Sequence, residues 1–268
     1  MALTVGSLFS GIGGIDLGLE RAGMEVKWQS EIDAYCSKVL AKKWPEVTNY
    51  GDITQIDWSE VENVDVICGG FPCQPFSVAG KKLGTADKRW LWPEFHNAIC
   101  ELRPRFVLVE NVPGLLMGGG INTVLGDLAE VGYDAEWETI PAAAFGAPHL
   151  RYRIFLLAYS QRNELRIKSG RSDGEDRTGT YEPEYDGQQG SMADSDSSGF
   201  SVFQGRYAVE ELRRIRASYN NGWWAVEPDV GRVAHGVPKR VDRLKSLGNA
   251  VVPQMAEWVG RCVVKAFG

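Results

Sequence analysis

Val5-Gly6-Ser7-Leu8-Phe9-Ser10-Gly11-Ile12-Gly13-Gly14 reads as a strand, a glycine-rich turn and the opening of a helix. Ile15, Leu17, Leu19 and Ala22 suit one helix over Gly14–Ala22, with Gly23 as its stop. Glycines in such a turn let a ligand approach the backbone at a helix N-terminus, where unsatisfied N–H groups point outward. An ordinary tight strand-to-helix turn has the same signature, so this stretch speaks for a fold before it speaks for a function.

Outward from it, the pattern repeats as far as residue 158. Strands are expected at Thr4–Phe9, Glu25–Ser30, Val64–Cys68, Phe106–Val109, Ala135–Ile140 and Arg153–Ala158, with helices at Pro93–Leu102 and Gly120–Val131. Apolar β-branched runs alternating with amphipathic stretches predict an α/β domain, a mostly parallel sheet with helices on both faces. After Tyr159 the composition turns polar. Residues 160–200 carry few apolar anchors and are expected to be loop-like or partly disordered. A basic helix is expected over 206–217, and a terminal helix from Asn249 through Phe267 returns the chain to the core. The organisation expected is a main domain over 1–159, a short appendage over 160–230 and a segment over 231–268 that returns to the main domain.

The 268 residues, 44% hydrophobic and 24% charged, suffice for one sizeable core with a small appendage. No apolar run approaches the roughly 18–20 residues of a membrane span. The start Met1-Ala2-Leu3-Thr4 lacks the basic region and cleavage site of a signal peptide, so a soluble, cytoplasmic protein is expected. Five cysteines without CxxC spacing and three scattered histidines argue against zinc, a disulfide framework or any metal site. The net charge of −6 argues mildly against nucleic acid, but charge is sorted along the chain. Residues 205–245 hold nine Lys/Arg against five Asp/Glu, and residues 160–203 the reverse imbalance.

Glu31 closes the second strand, about twenty residues past the glycine turn, where an acidic side chain binds ribose hydroxyls in dinucleotide folds. The turn lacks the GxGxxG spacing and carries Asp16 where the last glycine would fall. A carboxylate facing a pyrophosphate would repel it, so a cofactor bearing a sulfonium and an amino acid fits better. Asp52, in Gly51-Asp52-Ile53, could accept a hydrogen bond from an adenine amino group.

A second stretch, Gly69-Gly70-Phe71-Pro72-Cys73-Gln74-Pro75-Phe76-Ser77, follows the buried-strand pattern Val64-Asp65-Val66-Ile67-Cys68. Cys73, between two prolines, belongs on a stiff loop at a strand's carboxyl end, where chemistry collects in open α/β sheets. Glu110-Asn111-Val112 ends another strand at the same edge, and Arg151-Tyr152-Arg153 opens the last apolar run. Each element alone has a bland reading: a core cysteine, a helix-cap glutamate, a surface RxR. Their joint placement favours a site.

Together these motifs resemble the DNA cytosine carbon-5 methyltransferases. Phe9-Ser10-Gly11-Ile12-Gly13-Gly14, Gly70-Phe71-Pro72-Cys73-Gln74, Glu110-Asn111-Val112, Arg151-Tyr152-Arg153 and Leu247-Gly248-Asn249-Ala250-Val251-Val252-Pro253 stand in the family's order. The resemblance implies a class I S-adenosylmethionine methyltransferase fold with a DNA-reading insert, here over 160–230. It implies that the Cys73 thiolate adds to carbon 6 of a flipped-out cytosine in double-stranded DNA, while Glu110 acts at ring nitrogen 3. Arg153 and Arg151 would hold the base and favour the thiolate. Carried over as contacts to S-adenosylmethionine are Phe9, Gly11, Glu31, Asp52, Ile53, Pro72, Asn249 and Val251, and as contacts to substrate Ser77, Gln74, Asn111 and His149. Asn249-Ala250-Val251 would pack beside the glycine turn.

The resemblance further implies a monomer that marks bacterial or phage DNA, paired with a restriction endonuclease or solitary. His149 stands where the family usually has Gln. The motif ahead of the terminal helix is hard to recognise in Gly231–Arg243. Trp223-Trp224 serves either as recognition-domain core or as a base-stacking surface. Rival readings are a tRNA cytosine-5 methyltransferase, a catalytically inactive DNA-binding relative and, from the glycine turn alone, a nicotinamide-dependent oxidoreductase.

Overall fold

The computed structural model describes residues 1–72, 90–117, 119–160, 203, 206–219 and 240–267. Cys73, Gln74, Ser77, Trp223-Trp224 and the polar stretch 161–202 lie outside them, so the expectations placed there are not addressed by the structure.

Among the described residues, seven strands form one sheet in the order β3-β2-β1-β4-β5-β7-β6. These are β1 (Thr4–Leu8), β2 (Glu25–Ser30), β3 (Thr48–Asn49), β4 (Val66–Gly69), β5 (Phe106–Asn111), β6 (Tyr133–Pro141) and β7 (Tyr152–Ser160). The first five are parallel; β7 runs antiparallel between β5 and β6. The chain leaves β1 toward β2 and crosses back to β4 on the other side, so the strand order reverses at the carboxyl ends of β1 and β4. Such a reversal opens a crevice at the edge of an open sheet. The antiparallel hand of β7 matters as well. Its amino end meets the carboxyl end of β5, with Asn111 opposite Ile154 and Glu110 opposite Phe155, which brings the arginine motif to that edge.

Helices cover both faces: α1 (Gly14–Arg21), α2 (Ala34–Lys43), α3 (Trp92–Leu102), α4 (Gly114–Met117), α5 (Gly120–Glu130), α6 (Arg206–Tyr219), α7 (Arg240–Asn249) and α8 (Pro253–Phe267). Along β5 burial alternates with period two. Phe106 and Leu108 join the core shared with α1 and α8, and Val107 and Val109 the core shared with α3 and α5. Strands buried on both sides read as continuous apolar runs, which is why they were visible in the sequence. Helix α1 and helix α8 touch through small residues: a Cβ on Gly18 would fall 2.5 Å from the Pro253 carbonyl oxygen and 2.6 Å from Ala256 Cβ.

The elements differ from the expectation in several places. Helices α2 and α4 and strand β3 were not anticipated; α2 buries only Cys36 and Leu40, too few for a clear amphipathic signal, α4 has four residues and β3 has two. The C-terminal helix expected from Asn249 begins only at Pro253, and a separate helix that was not expected, α7, ends at Asn249. Pro253 has no N–H to donate into a preceding turn and disfavours helical geometry at Val252, so it starts α8 rather than continuing α7. The basic helix is α6, which docks on α8: Trp258 Nε1 donates to the Ala208 carbonyl, and buried Glu211 meets Lys265 at 2.6 Å. Among the described residues no helix is long and apolar enough to cross a membrane.

Candidate active site

The glycine turn is built from alternating left-handed residues, Phe9 (φ 52°), Gly11 (φ 57°) and Gly13 (φ 80°). Hydrogen bonds hold its conformation. Gly13 N–H donates to the Ser10 carbonyl at 2.9 Å, and Gly11 N–H to Glu31 Oε2 at 2.7 Å. The second oxygen of Glu31 accepts from Asp33 N–H, and Asp33 caps the N-terminus of α2 through Tyr35 and Cys36 N–H. The strand-end carboxylate thus ties the turn to the next helix and still borders the crevice.

The crevice is a cavity of about 690 Å³, within the range that holds a drug-sized or cofactor-sized ligand. Phe9, Gly11, Glu31, Asp52, Ile53, Pro72, Asn249 and Val251 all line it, as do Glu110, Asn111 and Arg153. The C-terminal wall sits on the glycine turn as expected: a Cβ on Gly14 would meet the Val251 carbonyl oxygen at 2.6 Å. Asp52 also caps a short turn through Thr54 N–H at 3.0 Å.

Asp16 plays a different part from the one expected. It is fully buried, away from the crevice, accepting from Ser7 Oγ at 3.0 Å and from Gln29 Nε2 at 2.7 Å. Burial pushes its pKa up to about 6, against those two bonds. It therefore repels nothing in the pocket. The charge argument survives through other residues: Glu31, Asp33, Asp52 and Glu110 line the cavity, against Arg153 and Lys245. Such a wall opposes a pyrophosphate and suits hydroxyls, amines and a cationic centre.

Glu110 is buried at the end of β5, and burial pushes its pKa up to about 7 despite the charges of Arg153 and Arg151. Arg153 Nε lies 2.8 Å from Oε1, an ion pair off the N–H axis that leaves Oε1 without an aligned hydrogen bond among the described residues. Glu110 itself lines the cavity. Gly70 makes room for it, since a Cβ there would lie 2.8 Å from Glu110 Oε2.

Asn111, expected to meet substrate, holds the backbone. Its Nδ2 donates to the Phe71 carbonyl at 3.2 Å, and its Oδ1 accepts from Val112 N–H at 2.9 Å. Phe71 is buried against Trp90, Trp92 and Phe95. The stem that leads through Pro72 into Cys73 is therefore fixed from two sides. The arginines divide: Arg153 lines the cavity, whereas Arg151 Nη2 donates to the carbonyls of Gly248 at 2.8 Å and Ala250 at 2.6 Å. His149 is half-buried ahead of β7 and contributes nothing to the cavity wall.

Residues missed from sequence complete the wall on the α2 and α7 side. Lys245 Nζ pairs with Asp33 Oδ2 at 2.9 Å, which helps hold the Asp33 carboxyl down to about 2. Cys36 Sγ lies 3.4 Å from Ser246 Oγ. The only available signal was Asp33 as an N-cap residue, and α2 itself was too weakly patterned to draw attention to it. Among the described residues no cluster of three or more His, Cys, Asp or Glu could hold a metal ion.

The model of the C-5 cytosine-specific DNA methylase family matches residues 3–224. The chain is 42% identical to the type II methyltransferase M.Eco47II of Escherichia coli over 60% of its own length and 40% of that protein's. It is 29% identical to the type II methyltransferase M2.BsuMI of Bacillus subtilis, over 96% of this chain and 74% of the other. Among solved structures, a DNA modification methyltransferase encoded within an E. coli prophage superposes with a TM-score of 0.52 at 31% identity, covering 61% of this chain and 48% of that one. The chain thus spans about half the length of most curated relatives it matches. The sheet, mostly parallel with one antiparallel strand, is the class I methyltransferase fold. With more than half of its length matched by the family model, the chain belongs to the C-5 cytosine-specific DNA methylase family.

Proposed function

We propose that the protein transfers a methyl group from S-adenosylmethionine to carbon 5 of a cytosine flipped out of double-stranded DNA, as a monomer in a restriction–modification or phage-protection setting. The observation that carries this reading is the convergence of Glu110 and Arg153 on the cavity whose far wall is the glycine turn. Family membership and the type II methyltransferases among its relatives support it. The cavity fits the methyl donor: carboxylates stand where ribose and adenine donors and a cationic sulfur can be met, and no anion-binding side chain is spare among those lining it. Bound there, the donor would supply an electrophilic methyl carbon. Phe9, Gly11, Glu31, Asp52, Ile53, Pro72, Asn249 and Val251 would hold it.

The rest is work for the protein's own groups. Carbon 5 of cytosine is a weak nucleophile, so the ring must first be activated. Cys73, next in sequence to the cavity-lining Pro72, would add its thiolate to carbon 6. Glu110, half protonated near neutral pH, would give its proton to ring nitrogen 3 as the electrons arrive. Arg153 would steady Glu110 and the base. After methylation the carbon-5 proton leaves to a base, nitrogen 3 returns its proton to Glu110, and the thiolate departs. Gln74, Ser77 and His149 remain proposed substrate contacts, and Asn111 acts through the Phe71 stem.

The test is transfer of a labelled methyl group onto duplex DNA, with tRNA as the parallel substrate, by wild type and by Cys73→Ser. Labelled DNA, with the product at cytosine carbon 5 and loss of turnover in the variant, is expected. Labelling of tRNA alone, or substantial turnover by Cys73→Ser, would overturn the reading.

A further inference from the structure

The arginine motif was expected to present both its guanidinium groups to the base. The geometry points to a different role for one of them: Arg151 is a positioning residue for the methyl donor, acting through the backbone of Gly248 and Ala250 on the wall formed by Asn249 and Val251. This rests on the function proposed above.

Arg151 does not line the cavity, although Arg153 does. One nitrogen of Arg151, Nη2, donates to the carbonyls on either side of Asn249, at 2.8 Å to Gly248 and 2.6 Å to Ala250. Those carbonyls stand at the carboxyl end of α7, where the last turn has no intrahelical donors and the helix dipole favours a cation. A guanidinium there satisfies two acceptors with one rigid group.

Packing fixes the wall at Val251, which is buried against the glycine turn, but not at its α7 end. Helix α7 turns Val241, Leu244 and Leu247 outward, 77%, 47% and 59% exposed, and from 241 to 249 buries only Ser246. It is held to the body by polar contacts: Lys245 to Asp33, Ser246 to Cys36, and Arg151 to its end. Of these only Arg151 reaches the residues around Asn249. The backbone is adapted to the task as well. Arg151 has φ 39°, a left-handed conformation that side chains other than glycine rarely adopt. Tyr152 already belongs to β7, so the chain bends at Arg151 itself, and the two arginines serve different partners from positions two apart. Arg153 holds Glu110 and Arg151 holds the donor wall, both fixed to the amino end of one strand.

Equilibrium binding of S-adenosylhomocysteine, which needs no turnover, tests this on the full chain beside steady-state methylation. Arg151→Met should weaken binding by about tenfold or more, the size expected for losing charge-assisted hydrogen bonds. The Michaelis constant for the donor should rise in step, with kcat at saturating donor within about threefold of wild type. Arg153→Met should leave binding of S-adenosylhomocysteine within about twofold while lowering kcat. Arg151→Lys keeps a cation within reach of the carbonyls and should recover most of the binding; it also serves where the methionine variant folds poorly. Unchanged binding in Arg151→Met, a loss confined to kcat, or equal losses of binding in the Arg151 and Arg153 variants would overturn the assignment. Failure of wild type to bind the donor product at all would instead count against the proposed function.

Discussion

At the scale of single residues, the two most informative groups are carboxylates whose burial raises their pKa. Glu110 at about 7 titrates where the enzyme would work. If its acid form protonates the base, kcat/KM for DNA should fall as pH rises through about 7. Glu110→Gln should lose that alkaline limb and about 10²–10⁴ of the rate; a limb that persists in the variant would assign the titration to another group. Asp16 at about 6 has no such task. Its folded pKa lies above the unfolded value of 3.8, so the protonated form is favoured by folding. The associated stability is present in full below pH 3.8 and is lost as pH rises through 6. At pH 8 the cost is about 3 kcal/mol. Asp16→Asn should therefore raise stability at pH 8, because a buried charge is removed. Denaturant midpoints at pH 5 and pH 8 check this: the gain of the variant should be larger at pH 8.

At the scale of elements, the contact of α1 with α8 sets where Val251, two residues before α8, meets the glycine turn. It is close because Gly18 has no side chain; a Cβ there would stand 2.5 Å from the Pro253 carbonyl and 2.7 Å from Glu257 N. Both are backbone atoms and cannot move aside cheaply. Gly18→Ala should cost about 1–3 kcal/mol by overpacking, more than the small helix-propensity gain returns. As α8 shifts it should carry Val251 away from Gly14, so the variant should also bind S-adenosylhomocysteine more weakly. A thermal melt and a binding titration on the same sample separate the two effects.

At the scale of the molecule, the cavity is walled by segments from opposite ends of the chain, Phe9 and Gly11 at one end and Asn249 and Val251 at the other. A ligand bridging them should stabilise the whole fold. At a concentration 100-fold above its dissociation constant, S-adenosylhomocysteine should add about 2.7 kcal/mol, seen as a rise of a few degrees in Tm. An unshifted Tm at saturation would mean that the ligand does not engage the folded state.

The same long-range closure explains what could and could not be read in advance. The central strands, the glycine turn and the motif residues were legible locally, because buried strands are continuous apolar runs and the turn needs its glycines. The strand end that carries Glu110 followed from the run Phe106-Val107-Leu108-Val109. Hidden were features that depend on what a residue meets across space. Asp16 looked like a pocket residue until burial between Ser7 and Gln29 turned it inward. Helix α2 has too little apolar patterning to announce itself, yet Asp33 and Cys36 complete the wall. The two arginines are identical as letters, and only β7 running antiparallel beside β5, with Arg151 bent toward the end of α7, gives them different partners. By itself the sequence determined the longer strands and the glycine turn, because these rest on local patterning. Which group faces the cavity, which is buried behind it and which holds the wall in place were decided by tertiary packing, since burial and hydrogen-bond partners are properties of neighbours brought together from distant parts of the chain.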